Sequence, residues 1–280
     1  MTTTAVQPIG IFDSGVGGLS VLRPIQETFP NEHLLYFADQ AHVPYGSRSL
    51  AEIRHFSEEI TRFLLDQGAK IIVVACNTAS AAALNSLRET FTQAAFVGME
   101  PAVKPAALET RSGKVGVLAT ENTFSSLRYA QLMSRFAQDV EVIENPCRGL
   151  VSLIEAGDIA SADTEALLRR VLVPMLGVGV DTLVLGCTHY PFVRPLIERI
   201  VKESDTGTPV IIIDPAPAVA RQAGRVLAKL QLLAPVGKSG TVRLYTSARS
   251  HSLVDLSEQL LGNGLTVEEV VWRDVRLTSA

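Results

Sequence analysis

The sequence predicts an α/β fold with mostly parallel sheets, arranged as two similar halves, and three features of the chain lead to this. Short apolar runs such as "IIVVA" (71–75) and "TLVL" (182–185) alternate with amphipathic stretches nearly throughout. The runs are continuously apolar rather than alternating, as expected for strands covered on both faces of a sheet. The order of elements also repeats: Ile11 precedes Cys76 by 65 residues and Val117 precedes Cys187 by 70. Each half reads strand, polar loop, further α/β, then strand, Cys, two polar residues and helix.

Taken in order, strands are expected over Pro8–Phe12, Leu34–Ala38, Ile71–Ala75, Ala94–Val97, Val115–Leu118, Val140–Ile143, Thr182–Leu185, Val210–Ile213 and Val242–Tyr245. The 3.6-residue period of apolar positions predicts helices over Ser49–Gln67, Ser80–Phe91, Ser125–Ala137 and Thr164–Leu176. Glycine and proline mark the seams. "GMEPAVKPA" (98–106) crosses between the halves, and "ESDTGTP" (203–209) is a turn ahead of "VIIID". The last segment, "SARSHSLVDLSEQLLGNG", reads as a loop and a helix, followed by an edge strand in "LTVEEVVW".

Composition narrows the functional classes. The 280 residues are 47% hydrophobic, enough for a sizeable core without disulfides or metals. A net charge of −4 without like-charge blocks gives no nucleic-acid footprint. The N-terminus lacks a signal-peptide pattern, and no apolar run nears the roughly 18 residues that span a bilayer. Three cysteines suit reduced thiols in a cytoplasmic protein better than a secreted disulfide scaffold.

Two of those cysteines define the candidate chemistry. "VVACNTASA" runs a strand into Cys76, and "LVLGCTHYPF" does the same at Cys187. In open α/β sheets ligands bind at the carboxyl ends of strands. A sulfur at a helix start gains from the helix dipole as thiolate. Cys147, in "ENPCRGL", has no such setting and reads as an inert buried thiol. No C-x-x-C pair or clustered Cys and His suggests redox or zinc chemistry. A Cys–His hydrolase through Cys187 and His189 remains open but leaves Cys76 idle. The loop "DSGVGG" (13–18) begins like a dinucleotide fingerprint, with Asp39 placed 24 residues after Gly15, but Ser20 occupies the third glycine position. Two thiols suit moving a proton from one face of a carbon to the other, one as thiolate and one as thiol. An unperturbed cysteine pKa of about 8.5 lets modest tuning populate both forms. Asp13 could assist the first thiol, and His189 and Glu155 the second.

Taken together, "IGIFDSGVGGLSVL", "VPYGSRS", "VVACNTASA", "GVLAT", "LVSLIEAG" and "LVLGCTHYPF" resemble the glutamate racemases of the aspartate/glutamate racemase superfamily. The resemblance implies two pseudo-symmetric α/β domains, residues 1–98 with 212–280 and residues 99–211, with the active site in the cleft between them. It implies a cofactor-independent isomerase that interconverts L- and D-glutamate by two-base proton transfer and supplies D-glutamate for peptidoglycan. An aspartate or other amino-acid racemase is the alternative on the same fold. Cys76 and Cys187 would be the bases acting on the D- and L-enantiomer, assisted by Asp13 and by His189 and Glu155. Asp13, Ser14, Tyr45, Gly46, Asn77, Thr78, Thr123, Thr188 and His189 match positions that contact the amino acid. No cofactor, metal, nucleic acid or membrane partner is implied; a cytoplasmic homodimer is. Gln40, Glu121, Asn122 and Pro215 depart from the family's common pattern.

Overall fold

The computed structural model describes residues 3–204, 207–248, 251–262, 265–273 and 276–279. The described strands are β1 (Ile9–Asp13), β2 (Leu34–Ala38), β3 (Ile71–Val74), β4 (Ala95–Val97), β5 (Lys114–Leu118), β6 (Glu141–Asn145), β7 (Thr182–Leu185), β8 (Ile211–Ile213), β9 (Val242–Thr246), β10 (Val267–Arg273) and β11 (Arg276–Ser279). The helices are α1 (Leu19–Thr28), α2 (Leu50–Asp66), α3 (Asn77–Thr90), α4 (Val103–Glu109), α5 (Glu121–Phe124), α6 (Leu127–Phe136), α7 (Leu150–Glu155), α8 (Ala162–Gly177), α9 (Arg194–Glu203), α10 (Ala216–Leu230) and α11 (His251–Leu261). Asp205, Thr206, Arg249 and Ser250, in two of the expected loops, and Asn263 and Gly264 lie outside the described residues.

The chain divides into two compact units, Met1–Met99 with Ala216–Ala280, and Glu100–Pro215. In the first, seven strands run in the order β11-β10-β9-β2-β1-β3-β4. All neighbours are parallel except the β10–β11 pair. The second holds a four-stranded parallel sheet, β6-β5-β7-β8. Two expectations change here. The segment "LTVEEVVW" is not an edge: β10 lies between β9 and the short antiparallel β11, which the sequence reading missed. The strand Ile211–Ile213 pairs with β7, so the chain returns to the first unit after it and not at 212.

Sheet order decides where a ligand can sit. In the first unit the chain leaves β1 towards β2 on one side and later adds β3 on the other. In the second it leaves β5 towards β6 and adds β7 on the opposite side. Each gap, β1/β3 and β5/β7, is a topological switch point, where helices depart to opposite faces and leave a crevice at the carboxyl ends of the strands. Cys76 follows β3 and Cys187 follows β7, so both sulfurs stand at such an end.

Local signals build the surroundings. Ser49 and Glu52 form a reciprocal capping box, with Ser49 N donating to Glu52 Oε2 at 3.0 Å and Glu52 N to Ser49 Oγ at 3.3 Å. From that start, Ile53, Phe56, Ile60 and Leu64 follow helical spacing and bury in one cluster with Phe12, Phe37, Val74 and Cys76. Full burial of each aliphatic chain contributes about 1.5–3 kcal/mol. The floor beneath Cys76 is therefore a packed core.

Candidate active site

In the first unit Cys76 is itself the N-cap of α3, with extended backbone at φ −139° and ψ 122°. Its Sγ accepts the Ala79 N–H at 3.5 Å, satisfying one of the orphan amides of the first turn. Helix dipole and amide both favour the thiolate, an effect of about 0.3–1 kcal/mol at a surface and up to about 2 when partly buried. Ser14 Oγ lies 4.0 Å from the sulfur and 3.5 Å from Asp13 Oδ1, so the Ser14 hydroxyl links the thiol to the carboxylate. Asp13 is fully buried at the end of β1 and accepts the Gly15 N–H at 2.8 Å.

Two further residues hold that loop. Tyr36 O–H donates to Gly15 O at 2.5 Å. A Cβ on Gly18 would stand 2.7 Å from Asp13 Cβ and 2.8 Å from the Tyr36 oxygen, so the carboxylate can occupy its place only beside a glycine. Tyr36 escaped the sequence reading. Its signal was a lone phenol in an otherwise apolar strand, which needs a buried partner.

Asn77 and Thr78 open α3 and are both buried. Asn77 Oδ1 and Nδ2 are buried with no hydrogen-bond partner among the described residues. Burying such groups unpaired costs about 1–3 kcal/mol each, which a ligand offering a donor and an acceptor would offset. Tyr45 and Gly46 lie in a short 3₁₀ turn, Tyr45–Ser47. Tyr45 packs in the same core cluster as Cys76 and donates to Asp39 Oδ2 at 2.6 Å. Burial, then the charges of Asp39, Cys76 and Asp13, raise its phenol well above the usual value.

The second unit is built differently. Cys187 is followed by Thr188, His189 and a 3₁₀ turn over Tyr190–Val193, and α9 begins only at Arg194. The expectation that both sulfurs enter a helix start is therefore corrected: it holds for Cys76 and not for Cys187. In place of a helix end, Cys187 has an imidazole. Its Sγ is 3.7 Å from His189 Nδ1, and His189 Nε2 is 2.5 Å from Glu155 Oε1. Burial pulls the His189 pKa down, but the hydrogen bonds and negative charge of Cys187 and Glu155 outweigh it and hold the ring well above 6.5. The imidazole is thus kept as a cation between two acidic groups. It can donate to a Cys187 thiolate or return a proton to it.

Thr123, in α5, is buried with its Oγ1 3.0 Å from Thr120 Oγ1, and Thr188 is buried between Cys187 and His189. Gly186 lets the two strand ends close up, since a Cβ there would meet Leu118 O at 2.8 Å and Ala119 Cβ at 2.9 Å. Cys147 follows β6 and is buried; burial, then the charge of Cys187, pushes its pKa up to about 12, so it stays a thiol. Of the positions that depart from the family's common pattern, Glu121 begins α5 and pairs with Arg148. The marked residues thus fall into two sets. Asp13, Ser14, Tyr45, Gly46, Asn77 and Thr78 share a unit with Cys76; Thr123, Glu155, Thr188 and His189 share one with Cys187.

The dinucleotide alternative loses its acidic anchor. Asp39 is fully buried and accepts from Tyr45, Ser247 and Trp272, with His42 also in contact, so it is committed within the protein. The Cys–His–Glu geometry by itself would also serve a thiol hydrolase. Comparison with known proteins decides between the chemistries: residues 9–223 match the Asp/Glu/hydantoin racemase family. The chain belongs to the Asp/Glu/hydantoin racemase family. As a racemase it is an isomerase.

Relatives within this family agree over nearly the whole length. The chain is 52% identical over 263 residues to a glutamate racemase of Pseudomonas aeruginosa, covering 94% of this chain and 97% of the relative. It is 51% identical over 261 residues to that of Stutzerimonas stutzeri, with coverages of 93% and 96%. Among solved structures, the Francisella tularensis glutamate racemase in complex with D-glutamate is similar at TM-score 0.80 and 31% identity, over 96% of this chain and 98% of that one. The Escherichia coli glutamate racemase with L-glutamate and the activator UDP-MurNAc-ala gives TM-score 0.80 and 32% identity, over 98% and 99%. No described helix is long and apolar enough to cross a membrane.

Proposed function

We propose that this family member interconverts L- and D-glutamate without a cofactor, with Cys76 and Cys187 acting on opposite faces of Cα. The observation that carries the reading is the matched placement of the two sulfurs, each at the carboxyl end of the strand that completes a topological switch point. In one direction the Cys187 thiolate takes the Cα proton of L-glutamate and becomes a thiol. The Cys76 thiol gives its proton to the opposite face and becomes a thiolate, leaving D-glutamate. The reverse reaction exchanges the roles, so one sulfur must be charged and the other neutral in each free form. His189 stabilises charge at Cys187, while the α3 terminus and Ser14 serve Cys76. Asn77 offers a donor and an acceptor matched to an amino acid's carboxylate and ammonium. The product suits peptidoglycan precursor synthesis in the cytoplasm, and the working form is a homodimer.

Incubation of either enantiomer in deuterated water tests this. Racemisation with deuterium incorporated at Cα, without added cofactor, is expected. Cys76→Ala and Cys187→Ala should each abolish it, and full activity in either variant would rule out the two-thiol mechanism. A panel of amino acids separates glutamate from aspartate.

A further inference from the structure

Asp39 is a buried carboxylate that the proposed chemistry does not use, and its partners come from distant parts of the chain. Oδ2 accepts the Tyr45 O–H at 2.6 Å and lies 2.9 Å from His42 Nδ1. Oδ1 accepts the Ser247 O–H at 2.6 Å and the Trp272 indole N–H at 2.9 Å, from residues 208 and 233 positions further along. The first pair belongs to the loop that carries Tyr45 and Gly46. The second pair belongs to the segment after β9 and to β10.

The clamp has more than one jaw. Ser247 Oγ accepts the Ala41 N–H at 2.9 Å, and Ser247 N donates to Ala38 O at 3.1 Å, so this residue grips both ends of the turn at Asp39. The Trp272 ring stands edge-on to His42 at 4.9 Å and to Phe56 at 5.5 Å, while His42 stacks on Phe56 at 3.8 Å. Arg48 Nε donates to His42 O at 2.9 Å and closes the far side of the loop. The raised phenol of Tyr45 keeps its proton and donates it to Asp39.

We propose that Trp272, with Ser247, is a positioning residue for the substrate loop: by fixing Asp39, they set where Tyr45 and Gly46 meet the amino acid. This rests on the racemase reading. A buried carboxylate that loses a donor at Oδ1 is left under-compensated, and Tyr45 and His42, which already bond Oδ2, must shift to share the charge. The consequence falls first on binding, because the hydrogen bonds of this network end on the loop that carries Tyr45 and Gly46.

The sequence has a single tryptophan, so probes of indole report on Trp272 alone. Trp272→Phe keeps an aromatic ring near His42 and Phe56 and removes the donor together with part of the indole. It should raise KM for both enantiomers about tenfold with kcat within about twofold, the effect of one lost hydrogen bond to a charged group. Ser247→Ala should act in the same direction. Protein made with 5-fluorotryptophan, which retains the N–H, should keep the wild-type KM, and its one fluorine resonance should shift on adding D-glutamate. Unchanged KM in folded Trp272→Phe and Ser247→Ala proteins, or a fluorine signal unmoved by saturating glutamate in an active enzyme, would overturn the proposal while leaving the racemase reading intact. A wild type inactive on glutamate would overturn both.

Discussion

Removing the carboxylate behind His189 offers the sharpest test of the second half-site. In Glu155→Gln the 2.5 Å contact to His189 Nε2 loses its charge while the shape is kept. A hydrogen bond to a charged group contributes about 1.5–3 kcal/mol, so losing the Glu155 charge should lower the His189 pKa. The protonated ring supports the Cys187 thiolate, so activity should decline with rising pH through the His189 value, and that decline should begin at lower pH in the variant. At neutral pH the loss should be about tenfold to a hundredfold in kcat/KM. It must be equal in the two directions, since the equilibrium constant of a racemisation is one. Stability follows the same linkage. A His held above its unfolded value contributes stability that is fully present below about pH 6.5 and is lost as pH rises through its folded value. The variant should lose that stability from a lower pH. Initial rates by polarimetry and Tm from pH 5 to 9 read both effects. Superimposable pH profiles for wild type and variant, in rate and in Tm, would refute the assignment of His189 as a cation tuned by Glu155.

Three further outcomes are expected. Gly18→Ala should lower stability by about 1–3 kcal/mol through contact with Asp13 and Tyr36, seen as a lower Tm, and should reduce kcat/KM because Asp13 moves. Asn77→Ala removes a buried amide without partners, so Tm should hold or rise while KM for glutamate increases at least about tenfold; a fall in Tm with unchanged KM would show the amide to be structural. In native protein at pH 7.5, iodoacetamide should label Cys76 or Cys187 before Cys147, whose thiol is held to about 12, and peptide mass spectrometry reads the order.

Much of the fold was legible because its signals are local. The apolar runs at 34–38 and 182–185 coincide with β2 and β7, and the Ser49 start of α2 is a capping box within four residues. The motif around Cys76 also read correctly as strand into helix, since extended β-branched residues give way to Asn, Thr and Ala. The matching motif at Cys187 did not. Pro191 and Pro195 interrupt the chain there, and the segment turns through 3₁₀ geometry before α9. The β11 hairpin was missed because four residues beyond a predicted edge carry too little pattern to stand apart from it.

The amino-acid sequence by itself determined most element types, the family and the candidate thiols, because period, turn chemistry and motif spacing are properties of neighbouring residues. Tertiary structure alone decided the strand order that makes β1/β3 and β5/β7 switch points, and the different neighbours of the sulfurs, one beside a helix end and one beside an imidazole. It also decided that Asp39 is held by Ser247 and Trp272, more than two hundred residues away in the chain. A buried charge must be satisfied by whichever donors the fold brings within about 3 Å, and sequence distance carries no information about which they are.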